Sequence, residues 1–204
     1  MTIWAIVPVK PLRRGKSRLA SVLSEEDRTK LNRKLLSHTL ETLKSIPEIG
    51  DVLVVSRDAQ ALSLARDHKA RTLLEDGAPH LNVALERATQ VAKSYMSQSV
   101  LIVPADLPQI SAEDVRKMLA QGKKAPVIVI APDHRNEGTN ALYVNPAGII
   151  DYDFGEGSFQ RHRQRALEAG IDLQVCELPS LAHDVDLPED LEFLSMSLEE
   201  LVEE

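Results

Sequence analysis

Apolar residues fall along the chain in two alternating rhythms. Short runs bounded by turn-forming residues read as buried strands: Ile3–Val9, Asp51–Ser56, Ser99–Pro104 and Pro126–Ala131. Between them lie longer stretches whose apolar residues recur three and four apart. The clearest is Glu25–Ile46, where Leu31, Leu35, Leu36, Leu40 and Leu43 share one stripe and Ser24 stands ready to cap the start. Helices are also predicted at Ala59–His68, Ser111–Gln121 and Phe159–Ala169, the second of these opened by a Ser-x-x-Asp cap. Leu81–Met96 is predicted as a helix with Leu81, Leu85, Ala88, Val91, Ala92 and Tyr95 turned inward. Shorter strands are expected at Arg71–Leu74 and Asn140–Val144. Asp172–Leu178 alternates like a half-exposed strand, with Cys176 on its polar phase. Pro188–Ser197 reads as the last helix, with Pro188 in its first turn.

Strands spaced by helices predict an α/β fold: a mixed, mostly parallel sheet with helices on both faces. The stretch from Ala131 to Asp186 keeps its strand signals but has less regular helices, as expected for a mixed part of the sheet. No Gly/Ser linker, repeat or low-complexity tract interrupts residues 1–204, so one domain is expected. Sheets of this kind bind ligands beyond the carboxyl ends of their strands. The loops after Val9, Ser56, Pro104 and Ala131 are therefore where chemistry is expected.

Charge sharpens that expectation. The formal net charge is -7, which argues against a nucleic-acid partner. Yet residues 1–34 hold nine basic and three acidic residues, while the chain from Glu177 onward has ten acidic residues and no Lys or Arg. A local basic stretch on an acidic protein suits a small anionic ligand, or it is simply a solvated loop and helix start. The apolar runs are too short to span a membrane, and one cysteine excludes an intrachain disulfide, which together predict a cytoplasmic protein. Leu191, Leu194, Leu198 and Leu201 would cover either the core or a second copy in a homodimer.

Five loops carry candidate chemistry. Lys10, Arg13, Arg14, Lys16 and Arg18 put five cations within nine residues after the first strand, enough to hold a polyphosphate; the alternative is a solvated turn. The glycine spacings of a Walker A loop and of a dinucleotide fingerprint are both missing. Asp106, fixed between prolines in Pro104-Ala-Asp-Leu-Pro108, is either a Mg²⁺ anchor or a turn cap. Asp184 and Asp186 share one side of an extended segment, and either is a candidate second carboxylate; otherwise Asp186 caps the helix at Pro188. Ala131–Leu142 is rich in hydrogen-bond donors around Gly138. Gly155, Gly157 and Ser158 open a helix and offer backbone N–H groups to an anion. His162, in the first turns of that helix, reads as a polar helix-surface residue ahead of a catalytic one, so His162→Ala is expected to keep substantial activity.

In chain order the motifs are Pro-Val-Lys with Lys-Ser-Arg-Leu, Leu-Asn-x-Ala-Leu, Pro-Ala-Asp-Leu-Pro, Gly-Thr-Asn-Ala-Leu, Gly-x-Gly-Ser-Phe-x-x-His and Asp-Val-Asp-x-Pro-Glu-Asp-Leu. This series resembles the 2-phospho-L-lactate / phosphoenolpyruvate guanylyltransferases that begin assembly of the deazaflavin coenzyme F(420). The resemblance runs from Ile3 to Leu191. It implies a three-layer, Rossmann-like fold of the nucleotide-diphospho-sugar transferase type. Residues 1–131 would form a nucleotide-binding half, 132–186 an acceptor-binding half and 187–204 a C-terminal helix. GMP would pass from GTP to the phosphate of phosphoenolpyruvate or 2-phospho-L-lactate. Lys10, Lys16 and Arg18, with Pro8 and Arg14 beside them, would attend the nucleotide, and Asn82 would lie near the nucleoside. Asp106 would hold Mg²⁺ with Asp186. Thr139, Gly155 and Ser158 would bind the acceptor. His80 stands where the family often has glycine, so another nucleotidyltransferase, of cytidylyl or molybdopterin type, or a non-catalytic GTP-binding regulator, is the alternative.

Overall fold

The computed structural model describes residues 2–77 and 80–194. In chain order the elements are β1 (Ile3–Pro8), α1 (Glu25–Lys44), β2 (Ile49–Ser56), α2 (Ala59–Asp67), β3 (Arg71–Leu74), α3 (Leu81–Ser94), β4 (Ser99–Ile102), α4 (Ala112–Gln121), β5 (Val127–Pro132), β6 (Thr139–Asn145), α5 (Ser158–Glu168), β7 (Asp172–Val175) and α6 (Pro179–Ala182). Two 3-10 turns, Ser17–Ser21 and Pro188–Phe193, complete the set among the described residues. The strands form one seven-stranded sheet in the order β3-β2-β1-β4-β6-β5-β7. All pairs are parallel except those made by β6, which runs antiparallel to both β4 and β5.

Alternation along the strands divides the core in two. On one face Ala5, Val7, Val52, Val54, Leu101 and Val129 pack against α1, α2 and α4 through residues such as Leu36, Leu40, Ala61 and Met118. On the other, Trp4, Ile6, Leu53, Val100, Ile102 and Ile128 meet α3 and α5 through Leu85, Ala88, Phe159 and Ala166. The period-two pattern thus buries both faces of the sheet, as a parallel sheet between helix layers requires. A third, smaller cluster joins Leu19, Leu31, Leu35 and Val185, with Leu191 and Leu194 against it.

The topology fixes where a ligand can sit. Chain order reverses at β1, which has β2 on one side and β4 on the other. Ile6 is in register with both Leu53 and Ile102, and the Val103 N–H donates to the Ile6 carbonyl at 3.1 Å. The loops leaving β1 and β4 therefore start side by side, at the crevice where open α/β sheets bind ligands. Because β6 runs backwards, its first residue, Thr139, lies at that same rim, in register with Pro132 at the end of β5.

Several expectations need correction. Tyr95 does not face inward: α3 ends at Ser94, and Tyr95 is 55% exposed, stacked on Trp4 at 5.3 Å. Leu81, also expected inside, is 41% exposed, at the start of α3. Strand β7 stops at Val175, so Cys176 is buried rather than on a polar phase. Its N–H continues the ladder to the Ile130 carbonyl, its Sγ accepts from Gln121 Nε2 at 3.1 Å, and burial pushes its thiol pKa up. The segment predicted as the helix Pro188–Ser197 is a 3-10 turn as far as Phe193, and the rest of the predicted C-terminal helix 187–204 lies outside the described residues. Leu191 and Leu194 pack on this chain's own cluster, while Leu198 and Leu201 lie outside the described residues.

Candidate active site

The basic loop after β1 is held by an apolar anchor. Leu12 is buried in the α1–α2 layer; its N–H donates to Asp58 Oδ2 at 2.7 Å and its carbonyl accepts from Asn32 Nδ2 at 2.7 Å. The Pro11 carbonyl accepts from the N–H groups of Arg14 and Gly15, both at 2.9 Å, turning the chain back. Lys16 follows in the left-handed region (φ 59°) and aims its side chain inward. Asp58 does two jobs, since its other oxygen caps α2 by accepting from Gln60 N–H at 2.9 Å. Sequence reading did not find Asp58 or Asn32, because their partners are 46 and 20 residues away.

Lys16 meets the second component. Its Nζ lies 3.4 Å from Asp106 Oδ2 and 3.3 Å from Asp186 Oδ1, and its side chain is only 5% exposed. Asp106 leaves the end of β4, and its carbonyl accepts from the Val185 N–H at 3.1 Å, which ties the two acidic segments together. Asp106, Asp184 and Asp186 each offer an oxygen, all within 4.8 Å of one another. Both candidate partners of Asp106 thus reach the cluster. Burial first, and then the charges of Asp106 and Asp186, push the Asp184 carboxyl up to about 6, with Lys16 acting against them. One Asp106 oxygen, Oδ1, is buried with no hydrogen-bond partner. A crowded set of hard oxygens with an unsatisfied buried lone pair fits a divalent cation. Asp186 does not cap the turn at Pro188. That task falls to Asp190, whose Oδ2 accepts from the N–H groups of Asp186 (2.9 Å) and Leu187 (2.6 Å), leaving the Asp186 carboxylate to the cluster.

The opposite wall grows from the turn before β6 and the start of α5. Asp133 folds that turn: its carboxylate accepts from the N–H groups of Arg135, Glu137 and Gly138. The Glu137 carbonyl then takes the Phe159 N–H at 3.1 Å, joining the turn to α5. At the helix start Gly155 and Gly157 have φ of 128° and 70°, conformations open to glycine and costly for other residues. Arg161 braces this loop, donating from Nε to Asp153 Oδ1 (2.9 Å) and from its Nη groups to the carbonyls of Asp153 and Glu156. Arg165 shares the Asp153 carboxylate, and these hydrogen bonds hold that carboxyl below its ordinary range. The free N–H groups expected at the helix start are partly used, since Ser158 N–H donates to Gly155 and Phe159 N–H to Glu137. What faces the cavity instead is a pair of hydroxyls, Thr139 and Ser158, joined at 3.1 Å.

His162 is not on the surface. Phe159, His162 and Ala166 form the buried stripe of α5, a spacing of three and four that was visible in the sequence, and His162 is fully inaccessible. Its Nδ1 lies 3.0 Å from Thr139 Oγ1, and its Nε2 lies 3.1 Å from the Asp153 backbone N. Burial above all pulls its pKa down to about 4, against the opposing pull of Asp153.

These walls enclose a cavity of about 930 Å³. Of the residues singled out in the sequence, Pro8, Lys10, Arg14, Lys16, Arg18, Asp106, Thr139, Gly155, Ser158 and Asp186 all line it. Asn82 does not. Its amide is committed to the backbone of Phe154, accepting from the N–H at 2.8 Å and donating to the carbonyl at 3.2 Å, while its neighbours His80 and Leu81 line the cavity. Among the described residues no helix is long and apolar enough to cross a membrane.

Comparison with known proteins agrees with this arrangement. The family described as "Guanylyl transferase CofC like" matches residues 3–200. The chain is 41% identical over 197 residues to the phosphoenolpyruvate guanylyltransferase of Rubrobacter xylanophilus, covering 97% of this chain and 95% of that one. It is 31% identical over 192 residues to the 2-phospho-L-lactate guanylyltransferase of Methanosphaera stadtmanae, covering 93% and 82%. Among solved structures, a nucleotide-diphospho-sugar transferase candidate from Desulfovibrio desulfuricans superposes with a TM-score of 0.80 at 17% identity, covering 99% of this chain and 94% of that one. A nucleotidyl transferase from Methanothermobacter gives 0.67 at 17% identity, covering 92% and 93%. The sheet order, the crevice and the match over almost the whole length lead to one conclusion: the chain is a nucleotidyltransferase and belongs to the CofC-like guanylyl transferase family.

Proposed function

We propose that the protein transfers the GMP unit of GTP to the phosphate of phosphoenolpyruvate, with 2-phospho-L-lactate as the alternative acceptor, and releases pyrophosphate. The observation that carries this reading is one cavity in which a basic loop, a three-carboxylate cluster and a wall of hydroxyls and glycines face each other. The Rubrobacter relative, at 41% identity, is named for phosphoenolpyruvate, which favours that acceptor.

Residues 1–131 form the nucleotide half of this reading. Lys10, Arg14, Lys16 and Arg18 spread positive charge over the triphosphate, and Pro8, His80 and Leu81 line the space for the nucleoside. Asn82 acts through Phe154, shaping that wall rather than touching the ligand. Residues 132–186 form the acceptor half, in which Thr139, Ser158 and the Gly155 loop receive the phospho-acid. Asp106, Asp184 and Asp186 hold Mg²⁺, an ion suited to oxygen ligands, which when bound supplies charge neutralisation at the α-phosphate.

The acceptor's phosphate oxygen attacks the α-phosphorus, the bond to the bridging oxygen of the β-phosphate breaks, and pyrophosphate leaves. A phosphate oxygen is already ionised near neutral pH, so the protein supplies no base. Its residues position two anions and neutralise their repulsion. Lys16 joins the two halves of the site: the ammonium that pairs with Asp106 and Asp186 belongs to the loop that receives the triphosphate.

The test is pyrophosphate release with Mg²⁺, each of the four nucleoside triphosphates being paired with each phospho-acid. Release with GTP and phosphoenolpyruvate is the expected result. Release with another base discards the guanine assignment, and GTP binding without release leaves a regulator.

A further inference from the structure

The Thr139–Ser158 pair lines the cavity, and it can present either an O–H or only lone pairs to a ligand there, whereas an anionic acceptor only accepts. Which one the pair does is decided one layer deeper. The Asp153 backbone N–H has no choice but to donate, and it donates to His162 Nε2 at 3.1 Å. Nε2 is therefore unprotonated. His162 is fully buried on α5, where the neutral imidazole is the favoured form, so its one proton sits on Nδ1. Nδ1–H then donates to Thr139 Oγ1 at 3.0 Å.

A proton count follows. Thr139 and Ser158 have two hydroxyl protons between them, and one is used in their mutual bond at 3.1 Å. Because the histidine donates to the pair rather than accepting from it, the other proton is left over. Whichever way the bond between the hydroxyls runs, one O–H keeps no partner among these groups, and both residues line the cavity, where a ligand oxygen can take it. With the opposite tautomer, Nδ1 would take that proton and the pair would turn lone pairs on the ligand.

We infer that His162 is a positioning residue for the phospho-acid: as the neutral Nδ1–H tautomer it makes the Thr139–Ser158 pair a hydrogen-bond donor to an anionic oxygen of the acceptor. The inference rests on the proposal that this wall receives the acceptor. The tautomer is in turn set by the Asp153 backbone, which Arg161 holds from the same helix, so the loop and the hydroxyl pair are adjusted together. No proton moves to the substrate, in keeping with a reaction that needs no base.

Three measurements test it. A long-range ¹H–¹⁵N spectrum of the wild-type imidazoles is expected to show His162 as the neutral Nδ1–H form at pH 7; the Nε2–H form overturns the inference. Steady-state kinetics of His162→Leu should show the phospho-acid KM raised about tenfold or more, the loss of one hydrogen bond to a charged group. The GTP KM and the kcat at saturating phospho-acid should stay close to wild type. His162→Asn, which keeps an N–H near the Nδ1 position, should recover most of the acceptor KM; this rescue separates donation from packing. An unchanged acceptor KM in His162→Leu, or an equal rise in both KM values, or failure of the Asn variant to recover, overturns the positioning role while leaving the guanylyltransferase reading intact. Wild-type protein that releases no pyrophosphate with either phospho-acid overturns the functional reading and this role with it.

Discussion

Asp106 serves twice: its carbonyl holds the Val185 N–H while its carboxylate shares Lys16 and crowds Asp184 and Asp186. Asp106→Asn keeps the size and the backbone bond and removes one negative charge. Turnover is expected to fall by roughly a hundredfold or more, the scale of losing a preorganised charge at a reacting centre; near-normal turnover would remove Asp106 from the site. His162 supplies a prediction of a different kind. Its folded value of about 4 lies below the ordinary 6.5, so above pH 6.5 folded and unfolded chains are both neutral there and stability is full. As pH falls from 6.5 towards 4 the unfolded chain takes up a proton that the folded one refuses. Stability should drop by about 3 kcal/mol across that window and level off below it. Denaturant unfolding between pH 7 and pH 4, compared with His162→Asn, measures this part, and a variant with the same pH slope as wild type would contradict it.

At the scale of elements, the rhythm of apolar residues was sufficient for every strand and for the five longer helices, because the central strands are short runs buried on both faces and the helices bury one regular stripe. Their ends differ from expectation by a residue or two, as helix and strand ends do, except that β7 stops three residues short of the expected Leu178. The failures have local causes. The residue type of His162 suggests the surface, but its place on the Phe159–His162–Ala166 stripe of α5 puts it inside. Cys176 leaves the expected polar phase because β7 ends at Val175, three residues short of Leu178, and its Sγ meets Gln121. The 3-10 turn at Pro188–Phe193 carries a helix's N-terminal signal, with Pro188 in the first turn and Asp190 taking the Leu187 N–H, but the backbone turns extended at Leu194. Gly122, after α4, shows what a sequence pattern hides. A Cβ there would run into the ring of Tyr143, a buried residue whose hydroxyl donates to Ser99 on the neighbouring strand. Gly122→Ala should cost about 1–3 kcal/mol through overpacking. Thermal unfolding checks the cost, and KM values at low temperature should stay unchanged, since the site lies at the far ends of the strands.

Across the whole molecule, charge is sorted by position. Residues 1–34 carry +6 on a chain of net -7, and the basic loop and the acidic segment meet at one crevice. A field built from exposed cations on one loop is screened within about 10 Å at 0.1 M salt. If the proposed halves are right, the GTP KM should rise steadily with added KCl, whereas the acceptor KM, assigned to buried hydroxyls and a braced loop, should change less. Equal salt dependence for both substrates would argue that the two walls are not electrically distinct. The candidate site was largely legible because its residues sit in short motifs after strands. Its supports were not, because Asp58, Asn32, Asp190 and the Asp153–Arg161 brace act across folds of the chain that no motif spans.

The Lys16–Asp186 contact joins residues 170 positions apart. All seven strands are complete by Val175, yet two of the three clustered carboxylates arrive only at Asp184 and Asp186. During synthesis, then, the basic loop and the whole sheet precede the two acidic partners that complete the cluster. A chain stopped short of Asp184 has every strand but offers Lys16 only Asp106 of the three clustered carboxylates, so the acidic cluster is completed after the sheet and not by it.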